Sequence, residues 1–269
     1  MPKVVAVFGG GGAKSVAHVG ASRALAEAGL TPSCYVGTSF GAVMAAALAS
    51  GTTPEALTDQ LLHPSTRPVV SLDYVALAKG FFSDHLLKPG PLRDVIARLV
   101  PARRFESLRV PLQITATDLD SGELVVFRDD DTDLHTALYA SCALPLYYPP
   151  ADIGGRHLAD GGLRAVLPLE PAKGIPADLV VAVHVGPGFD EGPPPSSVSK
   201  LMPPALVRAH GSSERIMMAA QAEQAIRDWP KNGSKLVVVR PVHEREATFA
   251  VQNVQRYITA GYEATKQAL

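Results

Sequence analysis

The chain has 269 residues, 46% of them hydrophobic, and its 25 basic and 26 acidic residues give a net charge of −1. This length suits one large α/β domain, so we expect residues 1–269 to form a single domain. The balanced charge gives no reason to expect nucleic acid or an anionic membrane as a partner. We see no secretory signal and no bilayer-spanning apolar run, which predicts a cytoplasmic protein.

Two strand–turn–helix units open the chain. Residues 4–8 are continuously apolar and rich in valine, which is typical of a buried parallel strand. Residues 13–28 predict a helix that ends at Gly29. Residues 34–38 predict the next strand, and residues 40–50 an alanine-rich helix. Two such units in succession predict a doubly wound, mostly parallel sheet.

The rest of the chain continues the α/β pattern. Thr53 is the predicted N-cap of another helix, with Pro54 at its first position. Further strands are predicted at 111–117, 123–127, 179–185 and 236–240, a hairpin around Gly154 and Gly155, and helices at 132–141, 205–228 and from about 251. Segment 73–87 is a candidate for an acyl-binding wall or a lipid-contacting flap, with a plain core helix as the alternative. Segment 187–204 is a candidate for a mobile lid, with a disordered surface loop as the alternative. The whole pattern predicts a three-layer α/β/α fold around a mostly parallel central sheet.

A nucleophile elbow is predicted at residues 37–41, which read G-x-S-x-G between a strand and a helix. Such a turn holds its serine, here Ser39, at a helix start, where free N–H groups favour negative charge. Gly37 and Gly41 let neighbouring elements pack close to the turn. The same pattern also occurs in plain Gly/Ser turns, so the pentapeptide alone leaves both interpretations open.

The glycine run at residues 9–12 follows the first strand directly. A Walker phosphate loop is excluded, because Ala13 and Phe8 stand where that motif needs glycine. The dinucleotide pattern also fails, since its third glycine falls on Ser15. The remaining interpretation is a wide turn whose backbone amides face a developing oxyanion.

The general base is not identified by these turns alone. A Ser-His-Asp arrangement needs a histidine late in the chain, and His184, His210 and His243 are available. His243 is the best placed, just past the last predicted strand. However, the elbow follows only one βα unit, whereas an α/β-hydrolase has several strands before it. An esterase with His243 as its base therefore stays an alternative.

Three motifs together resemble the patatin-like phospholipases: the glycine turn that ends at Lys14, the elbow at 37–41, and Asp-Gly-Gly at 160–162. The resemblance covers residues 4–50 and 137–168, and the order of the motifs carries it. It implies a Ser-Asp dyad that hydrolyses an ester bond of a lipid through an acyl-enzyme. No metal or cofactor is implied.

Carried over residue by residue, the resemblance makes Ser39 the nucleophile and Asp160 the general base. The backbone amides of Gly10, Gly11 and Gly12 would form the oxyanion hole. The residues that the resemblance implies as supports of the elbow and its neighbouring loops are Lys14, Gly37, Gly41, Gly161 and Gly162. The implied partner is a lipid or acyl-ester substrate, and contact with a membrane surface would be transient, interfacial and apolar.

Two positions depart from the family pattern. Ser15 stands where the family usually has glycine, and Arg164-Ala165 stand where many members carry Asn-Asn. The second change removes side chains that could brace the loop of the dyad. A catalytically inactive, lipid-binding member is therefore a further alternative. The acyl length, the head group and the oligomeric state do not follow from the sequence.

Overall fold

One mixed sheet forms the centre of the molecule. The structure, a computed structural model, describes residues 2–63, 85–129, 131–191, 205–231, 233–245 and 251–269. The strands are β1 Val4–Phe8, β2 Pro32–Thr38, β3 Leu112–Asp118, β4 Leu124–Phe127, β5 Ala151–Ile153, β6 Arg156–Asp160, β7 Leu179–Val183 and β8 Lys235–Val239. They pair in the order β5-β6-β3-β2-β1-β7-β8, and β4 pairs with β3.

Helices connect these strands and cover both faces of the sheet. The α-helices are α1 Ala17–Glu27, α2 Phe40–Ala49, α3 Pro54–Leu62, α4 Pro89–Leu99, α5 Leu134–Cys142, α6 Gly162–Ala165, α7 Leu169–Ala172, α8 Ala205–Arg227 and α9 Val254–Ala268. Short 3-10 helices lie at Gly12–Val16, Phe105–Ser107 and Val251–Asn253. The predicted helix at 13–28 therefore begins with a 3-10 turn. The Thr53 side chain caps α3 as predicted, accepting from the Ala56 N–H at 3.2 Å.

The two faces of β1 pack into different layers, because successive side chains of a strand point to opposite faces. Val4 and Phe8 join the larger core, in which helix α2 is almost wholly buried. Val5 and Val7 join a second core with residues of α7 and α8. The predicted three-layer, mostly parallel α/β/α fold is confirmed. That residues 1–269 form a single domain stays a prediction.

Strand β3 determines how the two halves of the sheet meet. Thr115 of β3 pairs with Thr38 at the end of β2. Its neighbour Ala116 pairs with Asp160 at the end of β6. Both Thr115 and Ala116 pair with β4 on the other edge, so β2 and β6 lie on the same edge of β3. Since β2 is parallel and β6 antiparallel to β3, their carboxyl ends face each other.

The candidate flap at 73–87 and the candidate lid at 187–204 lie largely outside the described residues. Segment 73–87 is described only from 85 onward, and segment 187–204 only up to 191. None of the helices in the described segments is long and apolar enough to cross a membrane.

Helices α1 and α9 pack with their backbones in contact. A Cβ added at Gly20 would lie 1.9 Å from the Ile258 carbonyl oxygen, and one added at Gly261 would lie 1.9 Å from the Ala17 carbonyl oxygen. Only glycine allows this approach. Because α1 continues directly from the glycine turn, this contact fixes the helix behind that turn.

We predict that Gly20→Ala lowers the free energy of unfolding by about 2 kcal/mol or more, because the added methyl group meets backbone atoms that cannot move aside. Urea unfolding measures the change. Gly211→Ala is the matched control, since Gly211 also lies in a helix but has open space around its Cβ position. There the substitution should stabilise the protein by up to about 1 kcal/mol. Equal effects of the two substitutions would contradict the prediction.

Candidate active site

Ser39 lies on a strained turn between β2 and α2. Its backbone has φ 55° and ψ −138°, a left-handed conformation that is rare outside glycine. A Cβ at Gly37 would lie 2.5 Å from the Ala42 Cα, and one at Gly41 would lie 2.4 Å from the Gly9 carbonyl oxygen. The predicted elbow geometry is therefore present, and its two glycines are required by close backbone contacts.

Asp160 ends β6 and meets this serine directly. The Ser39 hydroxyl donates to Asp160 Oδ2 at 2.7 Å, and the Gly162 N–H donates to Oδ1 at 2.7 Å. A Cβ at Gly161 would lie 2.4 Å from the Thr115 carbonyl oxygen, so the turn after Asp160 packs closely on β3. The structure thus brings together the two residues predicted as nucleophile and base.

The environment of Asp160 makes its carboxylate a better proton acceptor than a carboxylate in water. Burial raises its pKa from the ordinary 3.8 to about 7, and the negative charge of Glu214 adds to the rise. The hydrogen bonds from Ser39 and Gly162 oppose it. An acceptor whose pKa lies near neutral pH suits general base catalysis.

The glycine turn offers fewer free amides than the sequence predicts. The Gly9 N–H donates to the Val183 carbonyl at 3.0 Å, and the Gly10 N–H donates to the Val166 carbonyl at 2.8 Å. Within the described residues, the amides of Gly11 and Gly12 donate no hydrogen bond. The amide of Gly10 is thus occupied, which narrows the predicted oxyanion donors to Gly11 and Gly12.

A buried histidine fixes the start of this turn. His18 is fully buried, stacks on Phe8 with ring centroids 4.4 Å apart, and places Nε2 2.8 Å from the Gly9 carbonyl oxygen. Burial lowers its pKa to about 4, so the ring is neutral near pH 7, and Nε2 must carry the proton in order to donate to that carbonyl. The peptide between Gly9 and Gly10 is therefore held at both its carbonyl and its N–H.

The Lys14 side chain connects the end of the glycine turn to two later segments of the chain. Its ammonium group lies 3.2 Å from Glu191 Oε1 and 3.0 Å from the Glu244 carbonyl oxygen. Burial lowers the pKa of Lys14, while the carboxylate of Glu191 opposes that effect.

Several hydroxyl groups hold the backbone around Ser39 and Asp160 in place. The sequence alone did not predict a role for these hydroxyls. Ser141 Oγ accepts from the Ser39 N–H at 2.8 Å. The hydroxyls of Thr38 and Thr115 form a hydrogen bond of 2.6 Å. The Thr117 hydroxyl donates to the Asp160 carbonyl oxygen at 2.9 Å. The alternation of Thr115 and Thr117 along a predicted strand was the signal available, since it places both on one face.

A cavity of about 180 Å³ opens above Ser39, Asp160 and the glycine turn. Most of its described lining is aliphatic or aromatic: Ala13, Val16, Phe40, Leu61, Leu92, Val95, Leu144, Tyr147, Tyr148, Val166, Pro187, Met218 and Val254. Such a lining suits a hydrocarbon chain better than a charged group. The described residues contain no cluster of His, Cys, Asp or Glu that could hold a metal ion.

The histidines considered as bases have other partners or surroundings. His243 places Nδ1 2.8 Å from Asp190 Oδ2 and is half-exposed. His210 pairs with Glu214 at 3.2 Å. His184 is buried, which lowers its pKa to about 3. None of these three is among the described residues that line the cavity.

The two departures from the family pattern take no part in the hydrogen bond between Ser39 and Asp160. The Ser15 hydroxyl is buried and has no hydrogen-bond partner within the described residues. Arg164 is exposed. The loop here is braced through its backbone, because Thr38 donates to the Ala165 carbonyl at 2.8 Å and Gln221 donates to the Leu163 carbonyl at 2.8 Å.

Known proteins resemble the chain in sequence and fold. The family model described as "Patatin-like phospholipase" matches residues 6–173 of the chain. Identity is 33% over 198 residues to an uncharacterized NTE family protein of Mycobacterium tuberculosis, covering 71% of this chain and 51% of that protein. The sequence identity to patatin-like phospholipase domain-containing protein 7 of Rattus norvegicus is 31% over 189 residues, which covers 68% of this chain and 14% of that protein. The chain thus spans about half the length of its mycobacterial relatives.

A solved structure shares the fold. VipD from Legionella pneumophila aligns over 99% of this chain and 66% of its own with a TM-score of 0.51. At 15% identity this is a likeness of fold alone.

We predict that Asp160→Asn makes the folded protein more stable at alkaline pH. The folded state disfavours the ionised carboxylate, so wild-type stability should fall as pH rises from 3.8 to about 7. That difference in pKa corresponds to roughly 4 kcal/mol once the carboxylate is fully ionised. The asparagine can still accept from Gly162 and donate to Ser39.

Urea unfolding at about pH 4.5 and about pH 8.5 measures this stability difference. The gap between Asp160→Asn and wild type should widen at the higher pH. Asp59→Asn, an exposed position, is the control and should show no such widening. A gap that stays constant with pH would mean that Asp160 has an ordinary pKa.

Proposed function

Because the chain belongs to the patatin-like phospholipase family, we propose that it hydrolyses a carboxylic ester bond of a lipid with Ser39 and Asp160 as a catalytic dyad. The observation that carries the proposal is the 2.7 Å hydrogen bond from the Ser39 hydroxyl to Asp160 Oδ2. It joins a nucleophile on a strained elbow to a buried acceptor, at one wall of an apolar cavity.

In the acylation step, Ser39 Oγ attacks the ester carbonyl and its proton passes to Asp160 Oδ2. The tetrahedral oxyanion accepts hydrogen bonds from the free amides of Gly11 and Gly12. One such donor is typically worth about 3 kcal/mol of transition-state stabilisation. The proton then moves from Asp160 to the leaving alcohol, and the acyl group remains on Ser39.

In the deacylation step, water takes the place of the leaving alcohol. Asp160 accepts a proton from that water as it attacks the acyl-enzyme, and returns a proton to Ser39 as the fatty acid leaves. The same two amides stabilise the second oxyanion. Neither step uses a metal ion or a cofactor.

The apolar cavity supports a substrate with a hydrocarbon acyl chain. Its described lining carries no lysine or arginine side chain that could bind a phosphate group. We therefore place the acyl chain in the cavity and the alcohol part of the ester toward its mouth. Because net charge is −1, contact with a lipid surface would be apolar and transient.

The two alternatives have less support. An esterase with His243 as its base would need that imidazole at Ser39, but it pairs with Asp190. An inactive lipid-binding member would need a broken dyad, whereas the Ser39–Asp160 hydrogen bond is intact. Both alternatives predict different outcomes in the following experiment.

We predict that wild type hydrolyses p-nitrophenyl esters in the presence of EDTA, with higher activity on longer acyl chains that fill the apolar cavity. Ser39→Ala and Asp160→Asn should fold and lose at least about a thousandfold in kcat, because each removes one half of the dyad. His243→Ala should keep most of the activity. A fluorophosphonate should label Ser39 in wild type and in His243→Ala, and should leave Ser39→Ala unlabelled.

Three results would contradict this reading. A fully active Asp160→Asn enzyme would exclude the dyad. An inactive His243→Ala enzyme would favour the histidine-based esterase. No hydrolysis and no labelling of folded wild type would favour the lipid-binding alternative.

We also predict that kcat/KM rises with pH through about 7, because only ionised Asp160 can accept the Ser39 proton. Glu214→Gln should move this rise to lower pH, since the charge of Glu214 raises the pKa of Asp160. The control is Glu223→Gln, an exposed glutamate on the same helix that pairs with Arg227. An unchanged profile in Glu214→Gln would show that the charge of Glu214 does not contribute to the pKa of Asp160.

A further inference from the structure

We infer that Glu191 is a positioning residue for the oxyanion hole, acting through its buried ion pair with Lys14. The inference rests on the proposed function, because it assigns Glu191 a part in the same reaction. Neither Glu191 nor Lys14 is among the described residues that line the cavity. Their effect would pass through the backbone of the glycine turn.

The segment from Val185 to Glu191 lies along the glycine turn. A Cβ at Gly11 would lie 2.6 Å from the Val185 carbonyl oxygen, and one at Gly186 would lie 3.0 Å from the Gly10 carbonyl oxygen. The two backbones are therefore in direct contact. A shift of this segment would move Gly11, one of the two amides that remain free.

The ion pair between Lys14 and Glu191 connects the end of the glycine turn to the end of the segment from Val185 to Glu191. Lys14 follows Gly12 by two residues, and its ammonium lies 3.2 Å from Glu191 Oε1, with side-chain exposures of only 6% and 2%. Removing one partner from so buried a pair leaves an uncompensated charge, which is strongly unfavourable. Lys14 would then have to move toward water and take the end of the turn with it.

Glu191 is itself held through its neighbour Asp190. Arg240 lies 3.0 Å from Asp190 Oδ1, and His243 lies 2.8 Å from Asp190 Oδ2. Arg240 follows β8 directly, and His243 lies three residues further along the chain. The ion pair therefore links the turn after β1 to the segments that follow β7 and β8.

This arrangement should act on the transition state and not on substrate binding. The amides of Gly11 and Gly12 meet a full negative charge only when the tetrahedral intermediate forms. A displaced turn would therefore lower kcat and leave KM nearly unchanged. A purely structural role would instead lower stability without separating the two constants.

The test compares Glu191→Gln with wild type in ester hydrolysis and in the binding of two inhibitors. One is an alkyl trifluoromethyl ketone: Ser39 Oγ adds to its carbonyl, the Ser39 proton passes to Asp160, and the hemiketal oxygen becomes the oxyanion. The other is the corresponding secondary alcohol, which cannot form a hemiketal. We expect kcat and ketone affinity to fall roughly 10- to 100-fold together, with KM and alcohol affinity unchanged.

Two further variants keep the test decisive. Glu170→Gln, an exposed glutamate on α7, should leave all four quantities unchanged. The double variant Lys14→Met with Glu191→Leu replaces the charges by apolar side chains, an exchange that is often neutral for folding. If Glu191→Gln fails to fold, this double variant takes its place and should also lose kcat and ketone affinity, because no hydrogen bond then joins the end of the turn to residue 191.

Retained kcat and ketone affinity in a folded variant that lacks the ion pair would overturn the inference and leave the proposed function standing. A parallel loss of alcohol affinity would also overturn it, because the cavity itself would then have changed. If wild type neither hydrolyses esters nor binds the ketone more tightly than the alcohol, the proposed function fails and the inference falls with it.

Discussion

The candidate site depends on one pairing constraint, the sharing of a single edge of β3 by β2 and β6. β2 ends beside Thr115 and β6 ends beside Ala116, so the residues at the two strand ends are neighbours although they are far apart in the chain. A slip of one residue in either ladder would turn the side chains to the other face of the sheet. The hydrogen bond between Ser39 and Asp160 therefore depends on the register of β3, which the hydrogen bond between the hydroxyls of Thr38 and Thr115 reinforces.

The same close packing provides both the geometry and the chemistry of the dyad. Asp160 is buried because the turn after it packs against the backbone of β3. This contact leaves no room for a side chain at position 161, where the chain has glycine. That burial raises its pKa to about 7, so the carboxylate that destabilises the folded state at alkaline pH is also the better proton acceptor. The left-handed backbone of Ser39 is also strained. Stability is thus lost at the two residues that the proposed reaction needs.

The sequence was sufficient for the features that local motifs encode. The strand–turn–helix units, the elbow at Ser39 and the three-layer fold follow from short patterns, and the predicted family is confirmed. Contacts between distant segments could not be predicted in this way. No local pattern near Gly10 shows that its amide donates to Val166, and none near Lys14 points to Glu191. These partners become neighbours only when the sheet order brings the loops after β1, β6 and β7 to one end of the fold.

His243 shows why chain order is a weak guide to a role in catalysis. Its position after the last strand suits the base of a Ser-His-Asp site, yet its imidazole pairs with Asp190, the neighbour of Glu191. The site is thereby built from two sides. The β3–β6 side carries the proposed proton acceptor, and the β7–β8 side contacts the turn that carries the proposed oxyanion donors. Strands β1 and β2 join these sides, because β1 ends at the glycine turn and its parallel partner β2 ends at Ser39. The proposed nucleophile is therefore positioned by both sides, and we expect a change on either side to alter the proposed reaction while the other side keeps its structure.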